Sequence, residues 1–285
     1  MILFDLIGNT PMVQLINNPK NKKVKIFGKL EGMNPGGSVK DRAAFGMIKG
    51  ALDRGEIKEG DQLVEATSGN TGIALAMIAQ TMGVSMTLIM PDNATKERIL
   101  SMKAYGAKVI LTPADKTIEY SRELADSMAE NEGYHMLNQF ANPDNCLMHY
   151  NTTGPEIWDD TDGKITHFVS AMGTTGTIMG VSRYLKEQNP GVQIVGCQPT
   201  EGSNIPGIRR WSPEFLPKIF EPERVDRIVD VSSDDATRMA RRLGKEESIL
   251  SGMSSGGAFY AANKIAEEID SGWTDLPPTL TPGPR

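Results

Sequence analysis

The sequence contains few cysteines, few aromatic residues and no long apolar run. Cys146 and Cys197 are the only cysteines among its 285 residues, and neither has a metal-like spacing to another cysteine or to a histidine. This favours reduced thiols over a disulfide scaffold. No segment approaches the ~18 apolar residues of a membrane helix, and MILFDLIGNTP at the start has no basic region. We expect a soluble, untargeted cytoplasmic protein with no metal and no membrane partner.

Basic residues are also too scarce for a nucleic-acid-binding protein. Lys and Arg number 30 against 36 Asp and Glu, which gives a formal net charge of −6 and a pI of about 5.3. No basic run interleaves with aromatic residues, so nucleic acid is not an expected partner. The length suffices for one large domain or two ordinary ones, which disfavours a single small binding module.

Strand-like and helix-like segments alternate along most of the chain. Strands are predicted at 12–15, 24–30, 62–65, 85–90, 108–111, 167–170 and 193–198, and helices at 43–54, 72–82, 96–105 and 176–186. Such alternation is typical of βαβ crossovers and a parallel sheet. The alternation lapses in a loop-rich stretch at 131–153, where a domain crossover is predicted. The pattern favours two α/β lobes with ligands at the carboxyl ends of the strands, in a cleft between the lobes.

A possible phosphate site lies in SAMGTTGT, residues 170–177, which follows a strand and opens a helix. Its glycines allow close approach of the backbone, its three threonines supply hydroxyl groups, and the helix start supplies free N–H groups. A glycine-rich turn without a ligand would account for the residues equally well. Neither GxxxxGK[ST] nor GxGxxG occurs there, which disfavours a nucleotide site of those types.

Two further turns have similar chemistry. EATSGNTG, residues 65–72, places hydroxyl and amide groups around a glycine at a helix start, where a carboxylate would bind without a cationic side chain. The alternative is that these residues only cap the helix. GMSSGG, residues 252–257, also precedes a helix.

The lysine of NPGGSVKDR, residues 34–42, is in an unfavourable position for a charge. Ser38 is a candidate N-cap, so Lys40 lies in the first helical turn, where the dipole disfavours a cation. Lys40 is therefore either a solvated side chain or a lysine that loses its proton. Together with a phosphate turn and a carboxylate turn, it fits a lysine that forms an imine with pyridoxal phosphate.

Taken together, the motifs resemble the cysteine synthase branch of the fold-type II pyridoxal-phosphate enzymes, and IPGIRRW resembles its B type, O-acetylserine sulfhydrylase B. The matching segments run in order from about Gly8 to about Ala262: NTPMVQL, KLEGMNPGGSVKDRAA, EATSGNTGIALA, LIMPDNATKER, NQFANPDN, TTGPEIW, THFVSAMGTTGTIMGVSRYL, VGCQPTEGSNIPGIRRW and SGMSSGGA. The resemblance implies a tryptophan synthase β-like α/β fold of two lobes, each a mostly parallel twisted sheet flanked by helices, with the active site in the cleft. It implies a smaller, mobile substrate-binding domain at 35–145 and a larger cofactor-binding domain at 1–34 plus 146–285.

Carried over position by position, the resemblance also implies the site residues. Lys40 would form the internal aldimine and act as general base. The cofactor contacts would come from Asn70 to the 3-hydroxyl oxygen, from Ser254 to the pyridine nitrogen, and from Gly173, Thr174, Thr175, Gly176 and Thr177 to the phosphate. The substrate carboxylate would be bound by Thr67, Ser68, Thr71 and Gln139. Arg209 or Arg210 would contact the sulfur donor, unless both are surface cations.

The implied reaction is a β-replacement with pyridoxal 5'-phosphate as cofactor. O-acetyl-L-serine would lose acetate to give an α-aminoacrylate, and sulfide would add to give L-cysteine, or thiosulfate to give S-sulfocysteine. The resemblance also implies a homodimer. Two alternatives stay open: a related β-lyase or dehydratase on the same fold, and a catalytically impaired paralogue that binds cofactor or a partner protein.

The C-terminal tail departs from the family pattern. The family continues with an apolar strand and a turn beside the cofactor, whereas the residues after Ser271 read GWTDLPPTLTPGPR, with six Pro or Gly among fourteen. Proline is poorly tolerated in a central strand. We therefore expect the last strand and its turn to be missing, which suggests a truncation or frameshift and an exposed sheet edge.

Overall fold

The structure, a computed structural model, describes residues 1–17, 21–270 and 272–276. Its contacts divide the chain into two compact units, one of residues 1–39 and 145–285 and the other of residues 40–144. The roles that the sequence assigns to its predicted domains, 35–145 and the remainder, stay predictions. Within the described ranges, no helix is both long and apolar enough to span a membrane.

The elements are numbered in chain order. The strands are β1 (Met12–Leu15), β2 (Val24–Lys29), β3 (Gln62–Ala66), β4 (Ser85–Pro91), β5 (Lys108–Thr112), β6 (His167–Ala171), β7 (Gln193–Pro199), β8 (Arg227–Val231) and β9 (Gly272–Leu276). The α-helices are α1 (Lys40–Asp53), α2 (Asn70–Thr81), α3 (Lys96–Ala104), α4 (Thr117–Asn131), α5 (Pro143–Met148), α6 (Gly154–Asp160), α7 (Gly176–Gln188), α8 (Ser233–Glu247) and α9 (Met253–Glu268). A π-helical turn, His149–Thr153, joins α5 to α6.

The larger unit is built on a sheet with strand order β1-β2-β9-β6-β7-β8, in which only the β1–β2 pair is antiparallel. Alternate residues of its central strands face opposite layers, as the two-residue period of a strand requires. Phe168 of β6 packs in one core with Ile178 of α7, whereas Val169 packs in another core with Phe259 of α9. Helices therefore cover both faces of this sheet.

The smaller unit contains a fully parallel sheet of strand order β3-β4-β5. Val64 of β3 and Ile89 of β4 share one core with Ala125 and Met128 of α4. The predicted α/β class, with mostly parallel sheets flanked by helices, is confirmed.

All seven predicted strands and all four predicted helices are present, with bounds that shift by a few residues. The prediction of a loop-rich stretch at 131–153 is wrong in part, because α5 and the π-helical turn lie there. Four further elements had no sequence prediction: α4, α6, β8 and α8. In α8 the buried residues are Ala236, Met239 and Leu243, a narrow apolar stripe on a helix that is otherwise polar.

The prediction that the last strand is missing is wrong for residues 272–276. Strand β9 pairs in parallel with both β2 and β6, and Thr274 lies opposite Ile26 on one side and His167 on the other. The physical reason lies in the position of the prolines: the five residues of β9 contain one glycine and no proline, and Pro277 follows directly. The expected turn after this strand lies outside the described residues.

Because β9 is central, its backbone N–H groups are needed on the sheet ladder. We predict that Thr274→Pro lowers the free energy of unfolding by on the order of 3 kcal/mol, since proline cannot donate to the ladder. Urea denaturation measures this, with Thr274→Val as the control that keeps the N–H group. Equal stability of the two variants would contradict a central β9.

Candidate active site

In the larger unit, the turn between β6 and α7 is suited to an anion. Thr175, directly before the 13-residue helix α7, has φ +70°, a left-handed conformation that is uncommon for threonine. Its Oγ1 is buried and has no hydrogen-bond partner among the described residues. A phosphate oxygen bound here would accept from this hydroxyl and from the N–H groups of the helix start. Such binding would be favourable because a buried hydroxyl without a partner is costly.

The glycines of this turn are required by close neighbours. A Cβ on Gly173 would lie 2.5 Å from the carbonyl oxygen of Gly207, and one on Gly176 would overlap the side-chain amide of Asn145. Asn145 is 1 % exposed, and its Nδ2–H donates to Thr174 Oγ1 at 3.1 Å. The turn is thus a preformed cradle lined by backbone, which fits the phosphate of pyridoxal phosphate.

A buried histidine supports the same turn. Nε2 of His149 pairs with Thr177 Oγ1 at 3.2 Å, and its Nδ1 pairs with Thr153 Oγ1 at 2.8 Å. A Cβ on Gly180 would overlap backbone and side-chain atoms of the segment that carries His149, so α7 packs directly against it. Sequence reasoning gave His149 and Asn145 no role, since each contact spans nearly thirty residues of the chain.

The turn of residues 252–257 lies near the cradle. A Cβ on Gly207 would be 3.6 Å from Ser254 Oγ, and the indole N–H of Trp211 donates to the carbonyl oxygen of Gly173 at 2.8 Å. Ser254, in the first turn of α9, and Gly173 are therefore both neighbours of Gly207. The structure brings together the predicted cofactor residues of the larger unit.

The two candidate arginines have different surroundings. The guanidinium of Arg209 lies 5.6 Å from the ring centre of Trp211, and the backbone N–H of Arg209 donates to Met172 O at 2.9 Å. By contrast, Arg210 donates to Asp230 at 2.9 Å and to Pro199 O at 3.2 Å. Arg209 is thus associated with the cradle through Trp211, while Arg210 is engaged by an acidic residue of β8.

In the smaller unit, the β3–α2 turn brings together the predicted carboxylate residues. The hydroxyl of Thr71 donates to Gln139 Oε1 at 2.9 Å, and the N–H of Gly69 donates to Thr67 Oγ1 at 3.5 Å. Ser68 is partly exposed, and Asn70 is the first residue of α2. The turn contains no lysine or arginine, so an anion here would be held by N–H, hydroxyl and amide donors at a helix start.

Lys40 is the first residue of α1, three residues before the predicted helix start. It is partly exposed, yet burial lowers the pKa of its amine from 10.5 to about 8. Loss of solvation and a helix N-terminus both disfavour the charged form. Near neutral pH the amine therefore has a substantial neutral fraction, which nucleophilic attack and proton abstraction require.

The segment that leads to Lys40 is anchored by a buried polar network in the larger unit. The N–H of Gly8 donates to Asn34 Oδ1 at 2.8 Å, and Asn34 Nδ2 donates to Glu31 Oε2 at 2.8 Å. Asn34 and Glu31 are buried. Sequence reasoning treated Asn34 only as part of a motif and did not identify this anchor.

The cradle generates a prediction. Gly176→Ala should weaken the binding of pyridoxal phosphate to cofactor-free protein by roughly tenfold or more, because the new methyl group displaces the turn from Asn145. Binding of unphosphorylated pyridoxal should change little. The control is Gly244→Ala in α8, where a Cβ meets nothing nearer than 3.6 Å. Spectroscopic titration measures the binding of both ligands to each variant and to the unaltered protein. An unchanged preference of Gly176→Ala for the phosphorylated ligand would contradict the assignment of this turn to the phosphate.

Comparisons with known proteins identify the family of the chain. The family model described as "Pyridoxal-phosphate dependent enzyme" matches residues 3–274. Cysteine synthase B of Pseudomonas aeruginosa is 57 % identical over 94 % of this chain and 89 % of its own, and cysteine synthase B of Escherichia coli K12 is 55 % identical over 92 % and 86 %. The crystal structure of cysteine synthase from Entamoeba histolytica superposes with a TM-score of 0.91 at 38 % identity, over 98 % of this chain and 87 % of that one. The chain therefore belongs to the pyridoxal-phosphate dependent enzyme family and, within it, to the cysteine synthases.

Proposed function

We propose that this enzyme makes L-cysteine from O-acetyl-L-serine and sulfide by β-replacement. The names of its relatives supply the substrate class. The observation that carries the chemistry is Lys40, whose amine has a pKa lowered to about 8 at a helix start. The alternative of an impaired paralogue depends on the absence of the last strand. Because strand β9 is present, an active enzyme is the better proposal.

The cofactor would be held by the residues that the sequence motifs indicate. The β6–α7 turn would bind the phosphate through its backbone N–H groups and the hydroxyl groups of Thr174, Thr175 and Thr177. Ser254 would meet the pyridine nitrogen, and Asn70 the 3-hydroxyl oxygen. Lys40 would hold the cofactor through its amine. When bound, pyridoxal phosphate supplies an electron-withdrawing ring that stabilises negative charge at the substrate's Cα.

The substrate carboxylate would be oriented by Thr67, Ser68, Thr71 and Gln139. Lys40 Nζ, once released by the incoming amine, would take the proton from the substrate's Cα as acetate leaves. After sulfur has added at Cβ, the ammonium of Lys40 would return that proton to Cα. A single amine with a pKa of about 8 can accept and donate this proton near neutral pH, because both of its forms are populated.

We assign the polar contact to the sulfur donor to Arg209 rather than Arg210. Its guanidinium lies 5.6 Å from the ring centre of Trp211, whose indole N–H donates to the carbonyl oxygen of Gly173, so this cation is associated with the turn that would hold the cofactor. A cation near the cofactor cradle would favour an anionic donor larger than sulfide. Thiosulfate, which would give S-sulfocysteine, is therefore the second donor that we propose.

We propose that the protein is a homodimer and that it works in a reducing cytoplasm. Cys146 and Cys197 are both buried, and burial raises the pKa of the first thiol to about 11 and of the second to about 12. Such thiols are unreactive, which fits structural cysteines in a reducing compartment. Light scattering on the purified protein tests the dimer.

Replacement of Lys40 tests the proposed reaction. We predict that Lys40→Ala lowers the rate of cysteine formation by at least ~10³-fold, because it removes both the covalent attachment and the general base. The cofactor-loaded protein should also lose its yellow colour. Lys49→Ala is the control, since Lys49 lies on the same helix and pairs with Asp53 at the surface. Cysteine formation by Lys40→Ala at the rate of the control would refute the proposed role.

The lowered pKa of Lys40 predicts how the reactivity of its amine depends on pH. With a pKa of about 8, the neutral fraction of the amine rises about tenfold between pH 7 and pH 9, whereas that of an ordinary lysine rises nearly a hundredfold. Acetylation of cofactor-free protein by acetic anhydride, mapped by mass spectrometry, should show this contrast between Lys40 and the lysine of a short unstructured peptide added to the same reaction. A parallel rise at both lysines would contradict a lowered pKa at Lys40.

The two arginines give a specificity prediction. Arg209→Ala should lower kcat/KM for thiosulfate by roughly tenfold, because a contact between an anion and a guanidinium is lost. It should change kcat/KM for sulfide far less. Arg210→Ala should leave the ratio of the two donors unchanged. A larger effect of Arg210→Ala on that ratio would reverse the assignment.

A further inference from the structure

Glu65 is a buried carboxyl group that the proposed reaction does not use. It is the fourth residue of β3 and is 5 % exposed. Thr67, at the start of the carboxylate turn, follows two residues later. A buried acidic side chain next to a site for a negatively charged substrate is unfavourable unless it has a local role.

The contact that Glu65 makes is with the backbone of another segment. The N–H of Asn138 donates to Glu65 Oε2 at 3.2 Å. Asn138 has φ +52°, in the left-handed region, which asparagine adopts more readily than other non-glycine residues but which still costs free energy. The carboxyl group thus binds the chain at a residue whose backbone conformation needs support.

The chain on either side of Asn138 is held against β3 and α2. Before it, the backbone of His135 accepts from Val64 N at 2.9 Å and donates to Gln62 O at 2.8 Å, which places this segment alongside β3. After it, Gln139 is 6 % exposed, and its Oε1 accepts from the hydroxyl of Thr71. Between these two attachments, the turn at Asn138 decides where Gln139 lies.

The turn itself is compact. The carbonyl oxygen of Asn138 accepts from the N–H groups of Ala141 and Asn142 at 3.0 Å each, and its Oδ1 accepts from the N–H of Phe140 at 3.2 Å. In these bonds the two oxygens of Asn138 act as acceptors. Its backbone N–H is a donor, and the carboxyl group of Glu65 accepts from it. Loss of that acceptor would leave a partly buried N–H group without its partner, which favours a different backbone path.

We propose that Glu65 is a positioning residue for the substrate carboxylate: it holds the N–H of Asn138 and so fixes the left-handed turn that brings Gln139 to Thr71. With its amide oxygen accepting from the hydroxyl of Thr71, Gln139 lies at the turn that would bind the carboxylate. This inference rests on the proposed function of the β3–α2 turn as the carboxylate site.

The surroundings of Glu65 define which replacement preserves its role. Burial raises the pKa of Glu65 to about 7, while the N–H of Asn138 and the charge of Arg122 on α4 oppose the rise and Asp126 on α4 adds to it. A carboxyl group accepts the N–H of Asn138 through a carbonyl oxygen even when neutral. A glutamine offers the same oxygen, whereas a leucine of similar size offers none.

The test compares Glu65→Gln with Glu65→Leu in the cofactor-loaded enzyme. The ligands are L-serine, which has the amine and carboxylate but no acetate to lose, and ethanolamine, which has the same amine and hydroxyl groups but no carboxylate. Spectroscopic titration should show about tenfold weaker binding of L-serine to Glu65→Leu, with unchanged binding of ethanolamine. Glu65→Gln should bind both ligands within about twofold of the unaltered enzyme.

A second pair of variants keeps the test decisive if Glu65→Leu does not fold. Asn138→Gly and Asn138→Ala both lose the side-chain bond to Phe140, but only alanine carries a Cβ at φ +52°. Asn138→Gly should bind L-serine more tightly than Asn138→Ala. Hydrogen exchange of residues 136–142 should become faster in Glu65→Leu and in Asn138→Ala. It should rise much less in the matched variants Glu65→Gln and Asn138→Gly.

Several outcomes would overturn the inference. One is unchanged L-serine binding in Glu65→Leu, and another is an equal loss of L-serine and ethanolamine, which would indicate general damage to the fold. Equal L-serine binding by the two Asn138 variants would also overturn it. Failure of the proposed function looks different: the unaltered enzyme would then show no spectral change with L-serine and no reaction with O-acetyl-L-serine.

Discussion

In the function that we propose, two turns bind anions without a cationic side chain of their own, and this constraint would account for much of the structure around them. Neither the β6–α7 turn nor the β3–α2 turn contains a lysine or arginine. Backbone N–H groups at helix starts must therefore supply the positive potential, which requires the backbone itself to reach the ligand. Positions 173 and 176 must be glycine, because a Cβ at either position would collide with a neighbour.

Burial sets the chemistry of Lys40. Loss of solvation lowers the pKa of its amine to about 8, and its place at the start of α1 also disfavours the cation. Surrounding polar groups then act as supports: Asn145 and His149 hold the cradle, and Glu65 holds the segment that carries Gln139.

The sequence predicted elements with strong local signals and missed those determined by distant contacts. Alternation of apolar segments was sufficient to place β1, β4 and α7 almost to the residue. The role of Asn145 could not be predicted, because it depends on the approach of α5 to Gly176, thirty residues later. The support at Glu65 depends on a left-handed Asn138 that no local motif specifies. Strand β9 was missed because the prolines after Leu276 were counted with it.

The central claim is that Lys40 alone among the lysines binds the cofactor covalently. Its most direct test is borohydride reduction of the protein loaded with pyridoxal phosphate, followed by digestion and mass spectrometry of the peptides. The account predicts one reduced pyridoxyl group per chain, on the peptide that contains Lys40. A label on another lysine, or no stable label after reduction, would contradict the account.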